Sequence, residues 1–204
     1  MQNEITELRN QVRTLKEKVD ALMAQVSPDG IQAKKFEVVN DDGKVVAAIG
    51  ANKGSGMLDI RNKDGKRVAS LRVFENSGVL SIFNDDGKLV AALKAYPTGG
   101  GLGILNNNGK VIAAFGADED GGFLGIHNKD GKRVALIFPN EDGGVLDISN
   151  KDGKTVAAIS ANEGGGFVGI RNKDGKPAAG IIADENGGRL VTCNNKGEVT
   201  SSLP

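Results

Sequence analysis

The chain has 204 residues, of which 26 are basic and 26 acidic, so its formal net charge is zero. A neutral chain generates no field that gathers nucleic acid or an anionic membrane surface, and no apolar run approaches the roughly 20 residues of a membrane span. The single cysteine, Cys193, excludes an intrachain disulfide framework. The first ten residues, MQNEITELRN, lack the apolar stretch of a signal peptide, and the composition assigns no compartment.

The first 27 residues carry a heptad pattern with β-branched residues at a and leucine at d. The pattern predicts a parallel coiled coil over residues 1–27 that ends at Ser-Pro-Asp-Gly; the alternative is a single amphipathic helix lying on a domain. This choice of a and d residues usually favours two strands, so the heptads alone leave dimer and trimer open. The predicted oligomerisation residues are Ile5, Leu8, Val12, Leu15, Val19, Leu22 and Val26.

After a predicted linker over residues 28–35, the period changes to 22 residues. Asparagine recurs at this spacing, and so do two series of glycines. Eight copies over residues 36–204, the last one incomplete, predict one structural unit stacked along an axis. The asparagine series is Asn40, Asn62, Asn84, Asn106, Asn128, Asn150, Asn172 and Asn194.

Each copy predicts a strand, a tight turn, a second strand and a glycine turn. In the copy spanning residues 146–167, Leu146 and Ile148 alternate with polar residues, which indicates a strand with one apolar face. The following Asn-Lys-Asp-Gly suits a type I turn whose glycine occupies a G1 bulge at positive φ. The second turn, NEGGG, allows positive φ or the close approach of a neighbouring chain. No helix is expected after residue 27.

Hairpins with one apolar face and no covering helix are not stable alone, so something must cover that face. The chain itself covers it in a monomeric, flattened β-solenoid, and identical neighbours cover it in a homotrimeric β-prism. Hairpin turns favour an antiparallel meander, and a recurring alanine, from Ala47 to Ala179, suits a crowded interior. We therefore predict a mainly β fold built as a homotrimeric β-prism behind the coiled coil.

A coiled-coil neck followed by a repetitive, glycine-punctuated β shaft resembles the trimeric fibres of phage tails and related bacterial surface appendages. The resemblance covers the chain at the level of architecture. It implies a parallel homotrimeric rod that serves as a spacer or a receptor-binding fibre, in an extracellular or virion-associated location. It transfers no binding residue.

The repeated Asp-Gly turn does not match a metal or phosphate motif. Aligning Gly65 with position 6 of an EF-hand loop places Ile60 and Leu71 at positions 1 and 12, where oxygen ligands are required. The segment GKT at residues 153–155 lies in a hairpin turn, whereas a P-loop needs this sequence to open a helix. We expect no cofactor and no enzyme activity, because neither His127 nor Cys193, each expected on exposed surface, has a catalytic partner.

The expected function is a structural rod or spacer whose main partner is another copy of the chain. The alternative is a segment of a tail fibre or adhesin that binds a receptor or a surface glycan. A binding site would interrupt the repeats, and the nearest interruption is AYPTGGG, where Tyr96 and Pro97 replace the usual polar pair. Asp59 and Asp147 are expected on exposed strand faces, too far apart for a glycosidase pair. Four phenylalanines beside the glycine turns are expected to pack at the edge of the core or to form contacts between chains: Phe74, Phe123, Phe138 and Phe167.

Overall fold

The computed structural model describes residues 2–24, 26–27, 30–31 and 33–204. Helix α1 spans Gln2–Ala24, and β1 (Val26–Ser27) pairs antiparallel with β2 (Gly30–Ile31). The helix ends three residues before the predicted boundary at residue 27. Pro28 and Asp29, which were expected to help end the helix, lie outside the described residues.

The helix stands apart from the rest of the fold. Of the described elements it contacts β1 and no strand of the large sheet, so the structure gives no support to the alternative of a helix lying on a domain, and the coiled coil stays a prediction. Its heptad residues from Ile5 to Leu22 are all exposed. The backbone of Val26 lies beyond the helix in β1, and its side chain lies outside the described part. No helix among the described residues is long and apolar enough to span a membrane.

The remaining strands form a single antiparallel sheet of 16 strands, in which each strand pairs with its neighbours in the chain. The sheet is unclosed, because β3 lies at one edge and β18 at the other. The predicted antiparallel hairpin meander is therefore confirmed, and the chain does not close on itself as the solenoid alternative requires. The strands are β3 (Lys35–Val39), β4 (Val45–Asn52), β5 (Ser55–Arg61), β6 (Arg67–Phe74), β7 (Ser77–Phe83), β8 (Leu89–Tyr96), β9 (Gly99–Leu105), β10 (Val111–Asp118), β11 (Gly121–His127), β12 (Arg133–Asn140), β13 (Gly143–Ser149), β14 (Thr155–Asn162), β15 (Gly165–Arg171), β16 (Pro177–Asp184), β17 (Gly187–Cys193) and β18 (Val199–Leu203).

The asparagine turns at one end of the hairpins have the predicted conformation. In all eight, the glycine N–H donates to the asparagine carbonyl at 2.9–3.0 Å, and the glycine φ lies between 73° and 87°. The asparagine side chain adds bonds that the sequence pattern did not reveal. Its Oδ1 accepts the N–H groups of the second and fourth residues after it, as Asn106 Oδ1 does from Asn108 and Lys110 at 3.0 and 3.1 Å. The 22-residue asparagine series therefore marks a side chain that holds each turn closed.

The glycine turns at the other end fall into two kinds. In the first two copies both central residues have positive φ, for example Glu75 at 49° and Asn76 at 67°, which is a type I′ turn. In a later copy the glycine serves close approach instead. A Cβ built on Gly99 would lie 1.9 Å from the carbonyl oxygen of Ala117, in the next hairpin of the same chain. A Cβ on Gly165 would lie 2.1 Å from the corresponding oxygen of Ala183.

The chain on its own has almost no hydrophobic core. Ala48 is the only hydrophobic residue of the described chain whose side chain is buried. The solvent-accessible surface of the chain is 14660 Å². A compact monomer of 21.2 kDa exposes about 9,100 Å². The difference of about 5,600 Å², to which the exposed helix α1 also contributes, is as large as the surface that large obligate interfaces bury. The single chain therefore leaves much of its apolar surface exposed.

Candidate functional site: the two faces of the sheet

One face of the sheet, here called the apolar face, carries a continuous row of large apolar side chains along its midline. Each of the 16 strands contributes one residue, and each residue is the direct cross-strand partner of the next. Such pairs are the unit of sheet stabilisation. The row comprises Phe36, Ile49, Leu58, Leu71, Leu80, Leu93, Leu102, Phe115, Leu124, Ile137, Leu146, Ile159, Val168, Ile181, Leu190 and Leu203.

Smaller side chains flank this midline row on the same face. Towards the asparagine turns, isoleucine and alanine alternate from strand to strand, as in Ala91, Ile104 and Ala113. Towards the glycine turns the partners are mostly alanine and glycine, as in Ala95 opposite Gly100. The side chains of the apolar face are therefore largest along its centre and smallest at the glycine-turn margin, while the asparagine-turn margin keeps an isoleucine in about every second strand.

The apolar face is open to solvent in the single chain. Leu93 is 50% exposed and Phe115 is 61% exposed, although both lie in the middle of the sheet. The last, degenerate copy also takes part, because β18 forms and places Leu203 opposite Leu190. The alternation thus generates one apolar face, as the sequence predicted, but the chain leaves that face uncovered.

The opposite face, here called the groove face, is lined along its centre mostly by small and polar residues, with Leu136 and Val191 as larger apolar members of the row. Ala48, Asp59 and Ser70 follow one another across β4, β5 and β6, and Gly103 and Gly125 occupy the same position further along. Asp59 is 1% exposed and Ser70 is 3% exposed. The expectation that Asp59 stands on exposed surface is therefore wrong.

Asp59 is buried because arginines from its own hairpin close over it. Arg72 Nη2 donates to both carboxylate oxygens, at 2.8 and 3.1 Å, and Arg67 Nη2 lies 3.1 Å from Oδ2. Arg61 Nη2 is 3.7 Å from the same oxygen. Burial raises the pKa of Asp59, but the hydrogen bond from Arg72 and the charges of Arg67 and Arg72 outweigh it, so the pKa lies below its ordinary value. The cluster is an internal ion pair with an excess of positive charge.

A groove of 1030 Å³ opens on this face over strands β5 to β11. Tyr96, Pro97 and Thr98 line it, so the one interruption of the repeat noted in the sequence coincides with this groove. Its depth has a simple origin, because Gly101 and Gly103 have no side chain where the preceding copy carries Val79 and Ser81. Phe74 and Phe123 also line the groove, whereas Phe138 lines a smaller depression of 330 Å³ beside His127.

Lys94 lies in the groove between two aromatic rings. Its Nζ is 5.4 Å from the centroid of Phe74 and 5.1 Å from the centroid of Tyr96, which are cation–π distances. Within the described residues no carboxylate forms an ion pair with Lys94, in contrast to Arg72 at the same repeat position, which Asp59 neutralises. Lys53 and Arg72 also line the groove, as do the carboxylates of Glu75 and Asp118, and Lys94 is the lining cation that lies between two rings without an ion pair to either carboxylate.

The other candidate residues stay apart from one another. His127 and Cys193 are half-buried rather than exposed, and they lie on different hairpins. His127 Nδ1 is buried without a hydrogen-bond partner beside Phe123 and Phe138. Asp147 lies on β13, eight strands from Asp59. In the part of the chain that the structure describes, no three His, Cys, Asp or Glu side chains group in a way that could hold a metal ion.

Comparison with known proteins adds no family assignment: no protein-family model and no curated protein matches the chain significantly. The two faces of the sheet are therefore interpreted from their own geometry and chemistry.

Proposed function

We propose that the chain is a non-enzymatic structural protein that forms an elongated homo-oligomeric rod or spacer. The observation that carries the proposal is the uncovered midline row of the apolar face, one large residue from every strand of the sheet. Exposed apolar patches on monomers rarely exceed a few hundred Å², and larger ones mark interaction surfaces. Because every copy of the repeat presents the same face, the partner with a matching period is another copy of the same chain.

The distribution of side-chain size supports a trimer arranged as a triangular prism. In such a prism the middle of each sheet faces the axis, where space is greatest, and the margins meet their neighbours at narrow corners. The apolar face has leucine, isoleucine and phenylalanine in the middle, alternating isoleucine and alanine at the asparagine-turn margin, and mostly alanine and glycine at the glycine-turn margin. The exposed heptads of α1 support a parallel arrangement, because a parallel coiled coil places all N-termini at one end.

A rod of this kind has predictable dimensions. Sixteen strands about 4.8 Å apart give a shaft of about 72 Å, and a 23-residue helix adds about 35 Å. The resemblance to phage and bacterial surface fibres gives the rod a role as a spacer, extracellular or virion-associated. A maximum dimension near 100 Å in small-angle scattering supports the proposal, and a compact globule contradicts it.

The apolar face can be tested directly by placing a charge on it. Phe115→Asp puts a carboxylate in the midline row, so we expect loss of the oligomer, seen as a fall in mass by light scattering or as insoluble protein. Asn107→Asp introduces the same charge at an exposed turn, where the side chain acts only as an acceptor for Asn84, and is the matched control. An F115D variant that keeps the native mass would show that this face is not the interface.

A second candidate function is a fibre segment that binds a receptor or a surface glycan. The observation that favours it is the coincidence of the Tyr96 interruption with the groove. The groove lies on the face opposite the apolar face, so it stays accessible when the apolar face is covered. Loss of a binding partner on Tyr96→Ala, with the oligomer intact, would support this function, and unchanged binding would remove the groove from it.

A further inference from the structure

We infer that the groove binds an apolar carboxylate, a molecule with a hydrocarbon body and one anionic group. The inference deepens the second candidate function and rests on the groove face being outward in the assembly. It is carried by the unpaired cation at Lys94, the apolar lining around it and the open glycine floor. No other copy of the repeat combines these three features.

The cation is the first element. Positions equivalent to Lys94 hold Arg72 before it and Gly116 after it, and Arg72 is already bound by Asp59. Lys94 is held by the rings of Phe74 and Tyr96, which are 56% and 51% exposed. Aromatic residues occur at the Tyr96 position of the repeat only in these two adjacent copies. An ammonium fixed against two rings and lacking a carboxylate attracts a carboxylate from outside.

The lining around the cation is the second element, and it selects an apolar body. Met57, Val79, Leu105 and Val111 line the groove together with the aromatic rings. The polar lining residues include the hydroxyls of Ser81 and Thr98 and the carboxylates of Glu75 and Asp118, but no Asn and no Gln amide. Stacking of a sugar on the rings would also compete with the ammonium that already lies over them. This chemistry favours a hydrocarbon chain over an oligosaccharide.

The floor is the third element, and it provides the space. A Cβ built on Gly103 would meet no atom within 4 Å, so the backbone there is open to the groove. At 1030 Å³ the groove lies at the upper end of the range of small-molecule sites, which are concave and mostly apolar with a few placed polar groups. A molecule lying along Gly101 and Gly103 would bring its carboxylate to Lys94.

The chain supplies its own reporter, because Tyr96 is its only tyrosine and it has no tryptophan. The experiment titrates the full chain with decanoate, kept below its micellar concentration, and follows the fluorescence of Tyr96. A second titration uses decyltrimethylammonium, which has the same hydrocarbon chain and the opposite charge. We expect decanoate to bind saturably at one site per chain, at least tenfold more tightly than decyltrimethylammonium.

Substitutions at Lys94 and Gly103 test separately how the groove binds the anionic group and the hydrocarbon body of the ligand. Lys94→Gln should weaken decanoate at least tenfold and abolish the preference for the anion, while Lys94→Arg should keep it. Gly103→Leu should fill the floor and weaken both probes. Lys173→Gln, at an exposed asparagine turn away from the groove, is the matched control and should bind as the parent does.

Equal binding of the two probes, or a decanoate affinity that Lys94→Gln leaves unchanged, would overturn the inference. So would a Tyr96 signal that no decanoate concentration alters, or one that responds to an oligosaccharide and not to decanoate. The last outcome would still be consistent with glycan binding as the second candidate function. The mass of the assembly, measured on the same samples, tests the proposed rod independently.

Discussion

Replacing Gly99 with alanine should destabilise the shaft, because the glycine turn that contains it touches the next hairpin. The new Cβ would lie 1.9 Å from the carbonyl oxygen of Ala117 and 2.7 Å from its carbonyl carbon. Both atoms belong to backbone, so neither can rotate away as a side chain does. No positive φ is involved at Gly99, and the contact alone accounts for the effect.

The size of the effect follows from the displacement needed. Restoring an ordinary separation of about 3.3 Å requires the two turns to part by about 1.4 Å, and overpacking of this kind costs about 3 kcal/mol. Gly103→Ala is the matched control, since its Cβ meets nothing within 4 Å and it lies in a strand. There alanine should stabilise by about 0.5–1 kcal/mol, because glycine in a strand interior loses more chain entropy on folding.

The two variants are compared by urea unfolding at equal protein concentration, because the stability of an oligomer depends on that concentration. The unfolding midpoint of G99A should fall well below that of the parent, and the midpoint of G103A should lie at or above it. Equal midpoints for G99A and G103A would refute the close packing of successive glycine turns.

Substitutions at two positions of the shaft and one deletion of the helix test the remaining features of the fold. Asp59→Asn should cost about 1–3 kcal/mol at pH 7, since it leaves Arg67 and Arg72 without their shared carboxylate. Because the folded pKa of Asp59 lies below its ordinary value, this contribution is present above about pH 4 and should be lost as pH falls through the folded pKa, so the two unfolding curves should converge in acid. Asn106→Ala should cost about 1–2 kcal/mol by removing two bonds to Oδ1 and the bond that Nδ2 donates to the Lys129 carbonyl. Asn106→Asp loses only the donated bond and keeps the acceptor, so it should cost less, and equal losses in thermal unfolding would contradict the turn assignment. Deleting residues 2–24 should leave the mass of the assembly at the same multiple of the chain mass, because the sheet carries most of the apolar surface; a monomeric deletion variant would assign assembly to the helix.

The parts of the fold that depend on local sequence were predictable. A type I turn with a following glycine is specified by four adjacent residues, and the alternation of apolar and polar residues fixes which face each strand residue occupies. The antiparallel meander and the single apolar face follow from these two facts. The different glycine turns of the first two copies were not anticipated, because Glu75 and Asn76 take positive φ without a glycine.

The features of the groove face depend on neighbours across strands, and single-strand patterns do not show them. Asp59 looked exposed because it alternates with Leu58 and Ile60, yet Arg67 and Arg72 cover it from the next strand. Counting cross-strand positions through the bulge would have placed these arginines beside it. The groove likewise arises where glycines of neighbouring strands coincide, and its only trace in the sequence was the departure of Tyr96 from the repeat.

The central claim is that identical chains cover the apolar face, and the mass of the native protein in solution tests it most directly. Light scattering on the full chain at micromolar concentration should give about three times the chain mass of 21.2 kDa. A mass of two chains would agree with an apolar face covered by an identical chain, but it would contradict the triangular prism. A stable, folded species with the mass of one chain would contradict the account, because the apolar face would then persist in water without a partner.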